Sequence, residues 1–128
     1  MSGPARAGLF IYASDMTRLA EFYSRVLNMR TLHQTPELTV LQTDDVQLVV
    51  HAIPAQFAQD IRISSPPQLR EQTALKFFFT VPSIAQAQAM AEKLGGGVKA
   101  EIWTAPQFRV VNAFDPEGNI FHLREPLV

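Results

Sequence analysis

The 128-residue sequence contains no cysteine. That absence removes disulfides, thiolate nucleophiles and zinc–thiolate sites together, and it fits a reducing compartment. No apolar run approaches the roughly 20 residues of a membrane span. An excess of charge of one sign is also missing. The formal net charge is −1, which gives no electrostatic basis for a nucleic-acid or anionic-membrane partner. The stretch Met1-Ser2-Gly3-Pro4-Ala5-Arg6 lacks the apolar centre of a signal peptide. No Ser/His/Asp order, phosphate-cradling glycine loop or zinc-ligand spacing occurs. These absences lead us to expect a cytoplasmic protein with no nucleic-acid partner and no membrane partner.

What is present is an ordinary globular composition, 47% apolar and 18% charged. A chain of this length can form a single domain that buries roughly two thirds of its unfolded surface. The first periodic segment, Leu9-Phe10-Ile11-Tyr12-Ala13, is rich in strand formers. Ser14 or Asp15 can cap a following helix, in which Leu19, Phe22, Tyr23, Val26 and Leu27 form one apolar stripe and Asn28 is a stop. Strand-like pieces follow at about 30–35, 37–42 and 46–51, with Asp44-Asp45 as a polar turn.

The pattern then recurs. A strand is expected over Leu75–Val81. Pro82 stops the ladder, Ser83 is an N-cap, and Ile84, Ala87, Ala91 and Leu94 trace a helical stripe that ends at Gly95-Gly96-Gly97. Strands are expected at about 97–102, 107–114 and 119–124, with Trp103 lying between strands. A shift that carries Asp15 onto Ser83 superposes Ile11 on Phe79, Leu19 on Ala87, Phe22 on Met90 and Val26 on Leu94. The sequence therefore predicts an α+β fold of two βαβββ modules within one domain, residues 1–128. The first module spans about 7–52 and the second about 75–125. A linker over 53–74 contains Ser64-Ser65-Pro66-Pro67, which cannot join a ladder. It either packs as a short helix near 54–61 or covers the site.

The stretch Asp115-Pro116-Glu117-Gly118-Asn119-Ile120-Phe121-His122-Leu123 reads as a hairpin. Asp115 and Pro116 suit the start of a tight turn, while Gly118 and Asn119 tolerate positive φ. This hairpin resembles the terminal hairpin of the vicinal oxygen chelate superfamily, which includes glyoxalases, bleomycin-resistance proteins and extradiol dioxygenases. Asp15 to Tyr23, followed by Val26-Leu27-Asn28-Met29, is similar to that superfamily's first helix. The resemblance covers nearly the whole chain. It implies paired modules whose curved sheets enclose a ligand groove (the glyoxalase/bleomycin resistance/dioxygenase fold), usually in a homodimer.

Strand alternation assigns faces. Leu9, Ile11, Ala13, Leu48, Val50, Phe77, Phe79, Val81, Phe121 and Leu123 are expected to meet the helices. Phe10, Tyr12, Val49, His51, Lys76, Phe78, Ile120, His122 and Arg124 are expected to face the groove as ligand-binding residues. The superfamily's metal site takes one ligand from each of four strands. Carried over by position, those slots fall on Gly8, Val49, Lys76 and His122, where the superfamily usually places a glutamate last. Gly8 and Val49 have no ligating side chain, and Lys76 is a cation without a lone pair. A divalent ion takes three or four N/O donors, so the expectation is no metal and no other cofactor.

Three readings follow. The first is a metal-free protein that binds a small, anionic or oxygen-rich organic molecule, with Lys76, His122 and Arg124 as polar anchors. The second is a lyase, isomerase or dioxygenase with one divalent metal ion held through His51, His122 and a further donor. The third is a metal-independent enzyme with His122 as catalytic general base and Lys76 as electrostatic stabiliser. The apolar groove residues also have ordinary packing roles, and Lys76 and Arg124 ordinary roles as solvated charges.

Overall fold

The structure, a computed structural model, describes residues 5–127. The chain divides between Arg62 and Ile63 into two compact units. The first unit runs β1 (Gly8–Ala13), α1 (Met16–Val26), β2 (Arg30–Gln34), β3 (Leu38–Gln42), β4 (Gln47–Ala52) and α2 (Ala55–Ala58). Asp15 starts α1: its Oδ1 accepts the Arg18 N–H at 3.1 Å, satisfying one of the free donors of the first turn. Asn28 ends the helix with φ +53°, the left-handed region where Asn is tolerated. The apolar stripe is real: Leu19, Phe22, Tyr23 and Val26 are all buried, and α1 lies on β1, β3 and β4. Leu41, Leu48 and Val50 are fully buried in the same unit. Burial of each such side chain contributes about 1.5–3 kcal/mol, and truncating Phe22 to Ala would cost about 3–5 kcal/mol.

The sheet order is β1-β4-β3-β2. β1 runs parallel to β4, pairing Phe10 with Val49 and Tyr12 with His51, while β3 is antiparallel to β4 and to β2. The β4 register is unbroken, so His51 stands on the open face without any slip or bulge.

The second unit contains β5 (Phe78–Thr80), α3 (Ile84–Lys93), β6 (Gly97–Thr104), β7 (Phe108–Phe114) and β8 (Ile120–Pro126). Its order, β5-β8-β7-β6, repeats that of the first, again with a parallel pair between the first and last strands. Ser83 Oγ accepts the Gln86 N–H at 3.1 Å, and Gly95 leaves α3 at φ +96°. A second cap comes from β8, where Glu125 Oε1 accepts the Ile84 N–H at 2.7 Å. The superposed positions match in role: Leu19 and Ala87 are both buried helix residues, and Ile11 and Phe79 both point away from the open face.

Two expectations are corrected. The strand expected over Leu75–Val81 is only Phe78–Thr80. The reason is its partner. The register that sets Phe78 against His122 would place Leu75 against Asn119, which lies in the turn and cannot extend a ladder. Trp103 does not lie between strands but within β6, opposite Val110. In the 53–74 segment, a short helix does form, as α2, and Arg70 is anchored on the hairpin. Its N–H donates to the Gly118 carbonyl at 2.9 Å and its Nε to the Glu117 carbonyl at 3.3 Å.

The hairpin turn is held by Asp115. Its Oδ1 accepts the N–H groups of Glu117 (2.9 Å) and Asn119 (3.1 Å), and its Oδ2 accepts Asn119 Nδ2 at 2.8 Å. Asp115 is fully buried, so these bonds replace the water the carboxylate gives up. Gly118 supplies φ +87°.

Candidate functional site

Both sheets have one face covered by a helix and one open face, and the side chains expected to bind ligand stand on the open faces. In the first unit, alternation of burial along β1 and β4 turns Leu48 and Val50 inward and leaves Phe10, Tyr12, Val49 and His51 on the other side. Phe10 and Tyr12 keep 55% and 58% of their surface exposed, unusual for rings in the middle of a strand. Phe10, Tyr12 and His51 form a cluster. Phe10 stacks on His51 with ring centroids 5.6 Å apart, and Tyr12 meets both edge-on at 5.1 and 5.7 Å. His51 Nδ1 lies 2.7 Å from the Ala52 carbonyl. A carbonyl only accepts, so this contact has Nδ1–H as the donor. An open cavity of about 340 Å³ adjoins this cluster, lined by Arg6, Gly8, Phe10, Gln47 and Val49 among others.

In the second unit, β8 alternates in the same way. Phe121 and Leu123 are fully buried, while Ile120, His122 and Arg124 share the open face. Pairing brings Phe78 and Asn112 level with His122, Val110 level with Arg124, and Phe114 level with Ile120. Lys76, just before β5, donates from Nζ to Asn112 Oδ1 at 3.1 Å. The Arg124 guanidinium carbon lies 3.6 Å from the Phe78 ring centroid and 4.5 Å from that of Phe108. Its Nε is buried with no hydrogen-bond partner among the described residues.

The charges acting on His122 are positive, those of Lys76 and Arg124, while Glu101 on β6, in step with Trp103, brings one carboxylate to the outer part of the same face. No Asp or Glu stands on the open-face positions of β5, β7 and β8. Glu71 lies near Lys76 but is committed to Lys99 at 2.9 Å, and that partner holds its carboxyl below the usual range. Burial pushes the His122 imidazole below its usual value of 6.5, and the positive charges of Lys76 and Arg124 push it further. His122 is therefore neutral at pH 7, with one N–H and one lone pair.

Sequence reasoning brought Lys76, Phe78, Ile120, His122 and Arg124 to one face but missed Asn112 and Phe108. The β7 sequence carried a signal for both. In Phe108-Arg109-Val110-Val111-Asn112, the positions in step with Asn112 include Phe108, and an Asn amid apolar strand residues asks for a polar partner.

The four metal slots implied by the resemblance do not supply a ligand set. Even a Cβ at Gly8 would stand 2.7 Å from the Gln47 carbonyl oxygen, and Lys76 is a donor held by Asn112. Among the described residues, no group of three or more His, Cys, Asp or Glu side chains is arranged to hold a metal ion.

The profile of the glyoxalase/bleomycin resistance protein/dioxygenase superfamily matches residues 6–123, and the chain belongs to that superfamily. Among solved structures, the chain is similar to a glyoxalase/bleomycin resistance protein/dioxygenase family enzyme from Burkholderia phytofirmans PsJN. The TM-score is 0.71 at 18% identity, covering 97% of this chain and 100% of that one. The fosfomycin resistance protein FosX from Mesorhizobium loti gives 0.64 at 14% identity, covering 100% and 96%. TioX from Micromonospora sp. ML1 gives 0.64 at 15%, covering 98% and 100%. These likenesses establish the α+β fold of paired βαβββ modules. No curated protein matches the sequence significantly. No helix among the described residues is long and apolar enough to cross a membrane.

Proposed function

We propose that this protein binds a small organic molecule, anionic or oxygen-rich with an apolar portion, and does so without a resident metal ion. One observation carries the reading. Lys76, His122 and Arg124 converge on one sheet face beside the half-exposed Phe78, with no carboxylate from β5, β7 or β8 to neutralise them. A cation-binding site needs acidic or aromatic cages, and here the Phe78 ring already faces the protein's own cation, Arg124. The attraction for an anion strengthens as a bound ligand excludes water. The metal-free part of the reading rests on the four slots, which carry a glycine, a valine, a lysine and one histidine.

The test has two arms. Elemental analysis of purified protein should find no stoichiometric Zn, Ni, Fe or Mn. A metal at near one per chain, lost in His122→Ala, would overturn the metal-free reading. A thermal-shift screen should show stabilisation by organic acids and none by organic cations; stabilisation by cations would overturn the ligand class.

A second reading draws on His122 itself. A neutral imidazole flanked by two cations is suited to take a proton from a bound carbon acid while Lys76 stabilises the resulting enolate. Ligand-dependent exchange of a carbon-bound proton with D2O separates a lyase- or isomerase-type enzyme from a pure binder. We also take the protein to be a cytoplasmic symmetric homodimer, supported by the half-bare Leu32 on edge strand β2 and by Ile102 and Trp103 on edge strand β6. A monomeric mass by light scattering at micromolar concentration would contradict this.

A further inference from the structure

Arg124 differs from the other two cationic groups on its face. Lys76 is exposed and already donates to Asn112. His122 is neutral near pH 7 and donates through a single ring nitrogen. Arg124 carries a permanent charge, yet none of its guanidinium N–H groups is hydrogen-bonded to any described residue. It stands on β8 between β5 and β7, and each of these flanking strands lends a ring, Phe78 at 3.6 Å and Phe108 at 4.5 Å. The two rings flank the planar group from the strands on either side. Contact with a ligand is left to the edges.

The edges are not equivalent either. Nε is sealed from solvent and has no acceptor, which closes the side-on approach through Nε and one terminal nitrogen. That leaves the end-on edge, Nη1 and Nη2, for a ligand. Clamped between rings, the group has already lost the rotamer freedom that a long cationic side chain gives up on binding, so less is lost per hydrogen bond formed. A rigid, planar pair of parallel N–H donors matches the two oxygens of a carboxylate lying in the same plane.

We infer that Arg124 is a preorganised carboxylate fork: its Nη1–Nη2 edge, held between Phe78 and Phe108, receives a ligand carboxylate end-on and in plane, with His122 beside it. This rests on the reading that the ligand is anionic and narrows it to a carboxylic acid. By register, Thr80 on β5 and Val110 on β7 stand level with Arg124, and Phe78 and Asn112 level with His122. Two of the carboxylates in the neighbourhood are engaged elsewhere, Glu71 with Lys99 and Glu125 with Arg109 and the start of α3; Glu101 stands on the same face at edge strand β6.

Three probes with one ring and different head groups test it: benzoate, phenylphosphonate and benzamide, titrated by calorimetry into the full-length wild type, Arg124→Lys and Phe108→Leu. Benzoate should bind the wild type more tightly than phenylphosphonate, and benzamide should not bind measurably. Arg124→Lys keeps the charge but loses the fork, and should lose at least about tenfold in benzoate affinity. Phe108→Leu should weaken benzoate severalfold by releasing one face of the guanidinium, and it keeps the test decisive if the lysine variant is unstable. Equal benzoate affinity in wild type and Arg124→Lys, or in wild type and Phe108→Leu, overturns the fork while the anion reading stands. Equal or tighter binding of phenylphosphonate overturns the in-plane carboxylate. Failure of both anions to bind the wild type at millimolar concentration overturns the anion reading and the fork with it.

Discussion

The carbonyl oxygen of Gln68 sits directly over Gly118: a Cβ built on Gly118 would stand 2.1 Å from it. Gly118 therefore has two reasons to be glycine, its φ of +87° and the backbone lying on it. Gly118→Ala should destabilise the protein by about 2 kcal/mol or more, because the atom in the way is main chain held by the Arg70–Gly118 hydrogen bond. Chemical denaturation checks this. A loss of only a few tenths of a kcal/mol would mean that the 68–70 segment yields freely.

Glu125 joins β8 to α3 by accepting the Ile84 N–H and pairing with Arg109. Its carboxyl is held below the usual range, first by the Ile84 N–H and then by Arg109. A depressed carboxylate contributes stability that is present above its unfolded value of 4.5 and lost as pH falls through the folded one. Glu125→Gln should lower the melting temperature at pH 7 and flatten the acid limb of the stability curve. An unchanged acid limb would show that the cap does not survive in solution.

His122 works in the opposite part of the pH scale. Its folded pKa lies below 6.5, so between the folded and unfolded values the unfolded chain binds more protons. Stability should therefore fall as pH drops below about 6.5, levelling once the folded pKa is passed. An NMR titration of the His122 ring should show a midpoint below 6.5. A bound carboxylate should raise that midpoint by offsetting Lys76 and Arg124. A midpoint above 6.5 in the free protein would contradict the burial of His122 beside Lys76 and Arg124.

Lys76→Met removes one of the two permanent charges on the face and frees Asn112 Oδ1. Lys76 is exposed and screened, so the effect on organic-acid binding should be small, about two- to fivefold, and should shrink further with added salt. It should be well below the effect of Arg124→Lys measured in the same titration. If Lys76→Met has the larger effect, Lys76 is the principal anchor on this face.

The fold was legible in the sequence because its signals are local and repeated. Asp15 and Ser83 cap helices wherever a chain presents them to a free first turn, and the stripes Leu19-Phe22-Tyr23-Val26 and Ala87-Ala91 fix the buried side of each helix. Period-two alternation put Phe10, His122 and Arg124 on the open faces because a strand leaves no other choice once Leu48, Phe121 and Leu123 are inside. Tertiary structure decided what no spacing contains. Leu75 fell outside the ladder because its register partner, Asn119, lies in the turn before β8. Lys76 acquired Asn112, and Arg124 acquired Phe108, across strands separated in sequence by a helix and a hairpin. Alternation specifies which way a side chain points; only the pairing of distant strands specifies what it meets, and that meeting turned Arg124 from a rim charge into a clamped one.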